Sequence, residues 1–206
     1  MAPLRREGRF RSACALGLEF ELAGLTDAGR QPRFFFRFTS PPGYAEPMRV
    51  RRLGIVADTH GEVRSDALST LRSAGVDLIL HAGDIGSEEV LASLEQVAPV
   101  IAVAGNGDQP LYHRYPWDLR LWLGQRRVFL CHWYDNYGRV HPGYERTISE
   151  WAPDVLVYGH THQALLQQRG PTLFFNPGYA GPPQPSRTRS VGTLDLTTLD
   201  ARILYL

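Results

Sequence analysis

The chain has 206 residues, 43% of them hydrophobic and 21% charged, with a formal net charge of +1. That length supports one complete core with an appendage, and no apolar run nears the roughly 20 residues that span a bilayer, which excludes an integral helical membrane protein. Its two cysteines, Cys14 and Cys131, show neither CxxC spacing nor a framework pattern, which argues against a disulfide-stapled secreted domain and for a reducing cytoplasm. All 22 basic residues are Arg; so uniform a bias reads as codon composition, and Arg number alone does not argue for nucleic acid. Residues 1–52 carry 10 Arg and 5 acids, whereas 53–206 carry 12 Arg and 16 acids. The second part is mildly acidic, which suits cations and not a long polyanion.

Residues 1–47 show no sustained period of 3.6 or 2. Arg residues ahead of SACALGLEFELAGL superficially resemble a signal peptide, but Glu19 and Glu21 interrupt the apolar stretch. Met48 stands just before the first convincing strand. The expectation is that 1–47 is a flexible extension, or an upstream stretch included by a start-site choice, outside a domain at 48–206. The alternative is a short hairpin of residues 17–23 and 33–38 on the domain edge.

From residue 50 the pattern alternates. A strand at 52–57 leads to a helix at 63–74, with Val63, Ala67, Leu68 and Leu71 on one face and Gly75 ending it. A strand at 77–82 is followed by a helix at 87–97, with Ser87 as N-cap and Glu88 and Glu89 in its first turn. A strand at 99–104 completes a βαβαβ unit whose uninterrupted apolar strands predict a parallel sheet covered on both faces. Beyond a long loop, DLRLWLGQRRVFLCH reads as two strands joined at Gly124-Gln125. A helix at 143–151 precedes the strand VLVYG, and ALLQQR, TLFFN, SVGTLDL and ARILYL read as further strands separated by turn residues.

Seven metal-capable residues each follow a short apolar run: Asp58 and His60 after LGIVA, Asp84 after LILHAG, Asn106 after VIAVAG, His132 after VFLC, and His160 and His162 after VLVYG. In an α/β sheet the carboxyl ends of strands open into the crevice where sites lie. Each motif alone is weak; together they form a mixed oxygen and nitrogen set. That set suits Mn²⁺, Fe, Zn²⁺ or Co²⁺, and neither an all-oxygen Ca²⁺ cage nor a thiolate zinc site. Two ions roughly 3.5–4 Å apart would share a bridging carboxylate and clamp the oxygens of an in-line displacement at phosphorus. Cys131 precedes His132 by one residue, and strand alternation turns it away, into the core.

The ordered series D-x-H (58–60), G-D (83–84), G-N-x-D (105–108), a strand-end His132 and G-H-x-H (159–162) resembles the calcineurin-like metallophosphoesterase superfamily. The short length and Asn176-Pro177-Gly178 resemble its small bacterial YfcE-type phosphodiesterase branch, and the likeness covers about residues 50–206. The resemblance implies a two-sheet α/β sandwich flanked by helices. It implies two divalent metal ions, Mn²⁺ foremost, with Fe, Zn²⁺, Co²⁺ and Ni²⁺ as alternatives. Asp58, His60 and His162 would hold one ion, Asn106, His132 and His160 the other, and Asp84 would bridge them. The implied reaction is hydrolysis of a small phosphodiester by a hydroxide held between the ions, with Asp84, Asn106, Asp108 and His132 as the catalytic set. Asp108 is expected as an orienting group. His81 is either a second orienting group or a satisfied buried histidine. The same fold also serves as a protein-interaction scaffold in the retromer coat, the alternative function, although scaffolds depart from the full ligand pattern. No membrane partner is expected and nucleic acid is disfavoured, since larger nucleases of the superfamily carry extra capping domains; a homo-oligomer is compatible.

Three departures from the family pattern stand out. Many members carry His, a candidate proton donor, where this chain has Gly107. Relatives often have His-Gly-His where His132-Trp133-Tyr134 stands here, and Tyr179 replaces a small residue after Asn-Pro-Gly, where it reads as a surface aromatic. Tyr112, His113, Arg114 and Tyr115, with Tyr134 to Tyr137, are candidates for the pocket mouth. Arg114, Arg139 and Arg187 are candidates for a phosphate oxygen, against the plainer reading of solvated surface charge.

Overall fold

A computed structural model of the chain describes residues 18–21, 35–38, 50–133 and 141–206. The βαβαβ unit forms as expected. Strands β3 (Arg52–Val56), β4 (Leu78–His81) and β5 (Val100–Ala102) pair in parallel, joined by α1 (Ser65–Ala74) and α2 (Glu88–Glu95). Gly75 ends α1 in the left-handed conformation, its amide bonding back to the Arg72 carbonyl. Ser87 occupies the N-cap of α2, yet its side chain caps no backbone amide; the hydroxyl bonds the Glu89 carboxylate instead.

The two strands predicted around Gly124-Gln125 are β6 (Asp118–Leu123) and β7 (Arg126–Cys131), an antiparallel hairpin. Helix α3 (Pro142–Trp151) leads to β8 (Val155–Val157), then β9 (Leu165–Arg169), β10 (Thr172–Asn176), β11 (Ser190–Asp195) and β12 (Ala201–Tyr205). Two mixed sheets result. With β1 (Leu18–Glu21) and β2 (Phe35–Phe38), one has the order β1-β2-β6-β7-β8-β10-β9; the other runs β12-β11-β3-β4-β5. Strands β1 and β2 pair antiparallel, and β2 pairs in parallel with β6. The rest of 1–47 lies outside the described residues. Among the described residues no helix is long and apolar enough to cross a membrane.

Period-two alternation sorts side chains into layers. Leu53, Ile55 and Ala57 face the space between the sheets, meeting Leu121, Leu130, Val157 and Phe175. Val56 and Ile79 point the other way, against Leu71 of α1 and Val90 and Leu94 of α2. On the far side Phe129, Cys131, Leu156 and Phe174 pack with Tyr144, Ile148 and Trp151 of α3. Cys131 thus lies in that core, where burial pushes its thiol up. Strands β5 and β8 stop short of the predicted ends at 104 and 159, and beyond each of them the chain keeps a bond to its neighbour before turning. Gly159 N–H donates to the His132 carbonyl and Val103 N–H to that of His81. Both departures aim the next residues into one crevice.

Candidate metal centre

All seven predicted residues meet at the strand ends. Asp58, His60, Asp84 and His162 offer one ligand atom each, all within 4.8 Å of one another. His60 and His162 face each other Nε2 to Nε2 at 3.1 Å, and His162 Nε2 lies 3.2 Å from Asp58 Oδ1. Beside them, Asn106 Oδ1 is 3.1 Å from His132 Nε2 and 2.9 Å from His160 Nδ1. Asp84 stands between the groups, with Oδ1 3.4 Å from His132 Nε2 and Oδ2 3.8 Å from His60 Nε2.

The backbone is bent to achieve this. Asp58, His60, Asp84, His160 and His162 all have positive φ, between 48° and 70°. Left-handed backbone costs an L-residue roughly 1–2 kcal/mol and is tolerated best by Asp, Asn and His. Strain of this kind gathers where function demands it. Bonds between turns hold it: Asp58 N–H donates to the Gly83 carbonyl, His60 N–H to that of Asp84, and Gly61 N–H to that of Ile85. Two glycines leave room. A Cβ on Gly83 would come within 2.6 Å of the His132 Cβ, and one on Gly105 within 2.2 Å of Asp84 Oδ1.

The electrostatics favour a cation. Asp58 is fully buried, and burial pushes its carboxyl up to about 8 even though the His160 amide donates to it. Burial also holds His60 and His162 below the usual imidazole range, so their nitrogens keep lone pairs at neutral pH. His132 Nδ1 lies 2.7 Å from the Ala82 carbonyl; it must carry a proton there, which turns Nε2 toward Asn106 and Asp84. Acceptors crowd together with few protons among them, an arrangement that fits divalent metal.

The supporting residues act on the turns that carry the candidate ligands. Asp108 is buried and turned away from the crevice: its oxygens accept from the amides of Ile85, Gly86 and Gly105 at 2.8–3.0 Å. It therefore staples the turns after β4 and β5 together. His81 is fully buried, with Nε2 2.9 Å from the Thr59 hydroxyl. That hydroxyl also donates to the Ile85 carbonyl at 3.0 Å, so His81 Nε2 is the donor to it. Burial holds His81 down to about 3, neutral, while its Nδ1 has no hydrogen-bond partner. His81 thus supports Thr59, which lies between two candidate ligands. The sequence does not mark Thr59, since a Thr in a three-residue turn carries no signal.

Tyr179 corrects the reading of a surface aromatic. It is fully buried, its ring 5.1 Å from that of His162 and 5.9 Å from that of His60. Arg187 caps the ring, its Cζ 5.0 Å from the centroid. Arg114 is engaged by Glu88 on the surface, and Arg139 and Tyr134 to Tyr137 lie outside the described residues. Of the mouth candidates, Tyr112 donates to the Asn106 carbonyl at 2.7 Å. Tyr115 packs on the helix-side core and His113 is exposed. Trp133, 39% exposed, lies 5.2 Å from the His160 ring.

Residues 52–199 match the calcineurin-like phosphoesterase superfamily domain. A probable metallophosphoesterase of Methanothermobacter thermautotrophicus is 33% identical over 165 residues, which cover 74% of this chain and 91% of that protein. The phosphodiesterase YfcE of Escherichia coli is 32% identical over 167 residues, 70% of this chain and 87% of that one. Its solved structure superposes with a TM-score of 0.51 and 26% identity over 74% of this chain and 98% of YfcE. A Vps29 variant of Entamoeba histolytica shares the fold, with a TM-score of 0.60 and 17% identity over 75% of this chain and 99% of that one.

Proposed function

The chain belongs to the calcineurin-like phosphoesterase superfamily, whose members are hydrolases of phosphoester bonds, and we propose that it is a two-metal phosphodiesterase of the cytoplasm acting on small substrates. Asp58, His60 and His162 hold one ion in this reading, Asn106, His132 and His160 the other, with Mn²⁺ the metal of choice. The observation that carries it is Asp84, whose two oxygens face two different imidazole groups, Oδ1 toward His132 and Oδ2 toward His60. A carboxylate so placed is what a pair of ions needs between them.

Bound ions of this kind activate water and neutralise charge developing at phosphorus. The chain supplies the rest. Asp84 is oriented by the Gly107 amide, which donates to Oδ1 at 2.7 Å. Asn106 is oriented by Tyr112 through its own carbonyl, and His132 by the Ala82 carbonyl. A Cβ at position 107 would lie 3.1 Å from Asp84 Oδ1, so a side chain there would overhang the site, and Gly107 leaves that place without a proton donor. A general acid contributes about 10²–10⁴-fold, and substrates with good leaving groups need it least.

Purified protein supplied with Mn²⁺ is expected to hydrolyse bis(4-nitrophenyl) phosphate, and Asp84→Asn to lower kcat at least about 100-fold. Equal turnover in the variant would remove Asp84 from its role. The competing reading is a scaffold of the same fold; the full set of seven candidate ligands weighs against it. Protein that binds Mn²⁺ and turns over no phosphodiester would favour it.

A further inference from the structure

Beside His162, which forms part of its wall, lies an open cavity of about 430 Å³, within the range of small-molecule sites. Arg187 is the one formally charged group in its wall. The other polar groups there include the hydroxyls of Thr161, Ser186 and Thr188 and the Gln163 amide, with no carboxylate among them. Thr161 Oγ1 already accepts from Asn176 Nδ2 at 3.1 Å and from the Gln163 amide at 3.4 Å, which leaves its proton to be donated.

Arg187 is held in place. Its guanidinium rests on the Tyr179 ring and bonds the Tyr179 hydroxyl, and its amide donates to the Gln184 carbonyl at 3.1 Å. Gln184 Nε2 in turn donates to the Tyr179 hydroxyl. Two residues on, Arg189 pins the loop to α1 through a two-pronged contact with Asp66, at 2.6 and 2.9 Å. Among the described residues, the ion pairs engage other arginines and not Arg187. The guanidinium nevertheless acts electrostatically on Asp58, His60 and His162. A fixed cation with no acid to pair with, in a wall of hydrogen-bond donors, is built for an anion.

We propose that Arg187 anchors an anion-taking subsite adjoining His162, and that the preferred substrates are phosphodiesters with a second negative charge on one ester arm. This rests on the phosphodiesterase reading above. The scissile phosphoryl group sits among the candidate ligands, and the charged arm runs past His162 into the cavity. There Arg187 meets its oxygens bidentately, with the Thr161 and Thr188 hydroxyls within the same wall.

The test compares thymidine 5′-(4-nitrophenyl phosphate) with the same ester phosphorylated at its 3′ oxygen, on Mn²⁺-supplied protein. Wild type is expected to favour the 3′-phosphorylated ester about 10-fold in kcat/KM, chiefly through KM, as one charge-assisted contact allows. Arg187→Ala should bring the ratio toward one, and Arg187→Lys should restore part of it. A wild-type ratio near one, or an equal loss on both esters in Arg187→Ala, overturns the subsite. Failure of wild type to cleave either ester would instead sink the phosphodiesterase reading. The subsite is then read by calorimetry with thymidine 3′,5′-bisphosphate: weaker binding in Arg187→Ala supports it, and unchanged binding overturns it.

Discussion

Asp58 and Asn106 stand at the ends of two strands, β3 and β5, that flank β4 with its Asp84, yet only one of them can ionise. The Asp58 side joins a buried Asp58 to an exposed His60 and a half-buried His162 and, with Asp84, presents two carboxylates to one cluster. The Asn106 side joins an exposed Asn106 to a buried His132 and a half-buried His160, and presents an amide, two imidazoles and a share of Asp84. Burial is alike on the two sides, and charge count predicts that the Asp58 side would grip an ion more tightly. In the two-metal reading the Asn106 side, beside Trp133, would be the one from which an ion exchanges. A two-ion site whose halves differ in ionisable ligands would then load in order.

The sharpest way to break this asymmetry is substitution. Asp58→Asn is expected to weaken the tighter of two Mn²⁺ binding events at least about 100-fold, while Asn106→Ala weakens the looser one about 10-fold. Calorimetric titration of both variants decides; equal losses would make the halves equivalent.

A second prediction concerns pH. In metal-free protein the Asp58 carboxyl titrates near 8, against 3.8 for an ordinary Asp. A raised folded-state value means that its contribution to stability is complete below about pH 4 and is lost as pH rises through 8. Metal-free protein should therefore become less stable by a few kcal/mol from pH 4 to pH 8 on account of this group, and Mn²⁺ should restore Tm most at the alkaline end. Asp58→Asn should flatten the metal-free profile. A slope unchanged in that variant would assign the dependence elsewhere.

The smallest effect is expected far from both halves. Residues 48–206 alone should fold and hydrolyse bis(4-nitrophenyl) phosphate within about twofold of the full chain, since β1 and β2 attach at β6, at the edge of the larger sheet, and none of the seven residues lies on them. Loss of soluble protein would show that covering the β6 edge matters to the fold.

The contrast between the halves was partly visible in the residue types. Strand ends are marked by apolar runs, so Asp58, Asp84, Asn106 and His132 declare both their place and their chemistry. What surrounds them does not. Tyr179 reads as a surface aromatic because a lone ring among Gly and Pro has no period; only the fold brings it under His60 and His162. Asp108 looks like part of the reactive set because it belongs to the same motif, but its oxygens are consumed by three amides. Strands β1 and β2 are four residues each, too short for alternation to rise above composition. Ser87 has the right type and place for a cap, and loses that role to a neighbouring carboxylate.

Gly83 and Gly105 bring no reactive atom to the crevice, yet each precedes a candidate ligand, and a single added methyl would press on His132 or Asp84. The deepest intolerance to sequence change should therefore fall on positions with no chemistry of their own. A lineage losing this activity could do so by drift at those glycines while keeping every Asp, Asn and His. Intact ligands would then disguise a dead site, and the surer mark of a working relative is the pair of empty places beside them.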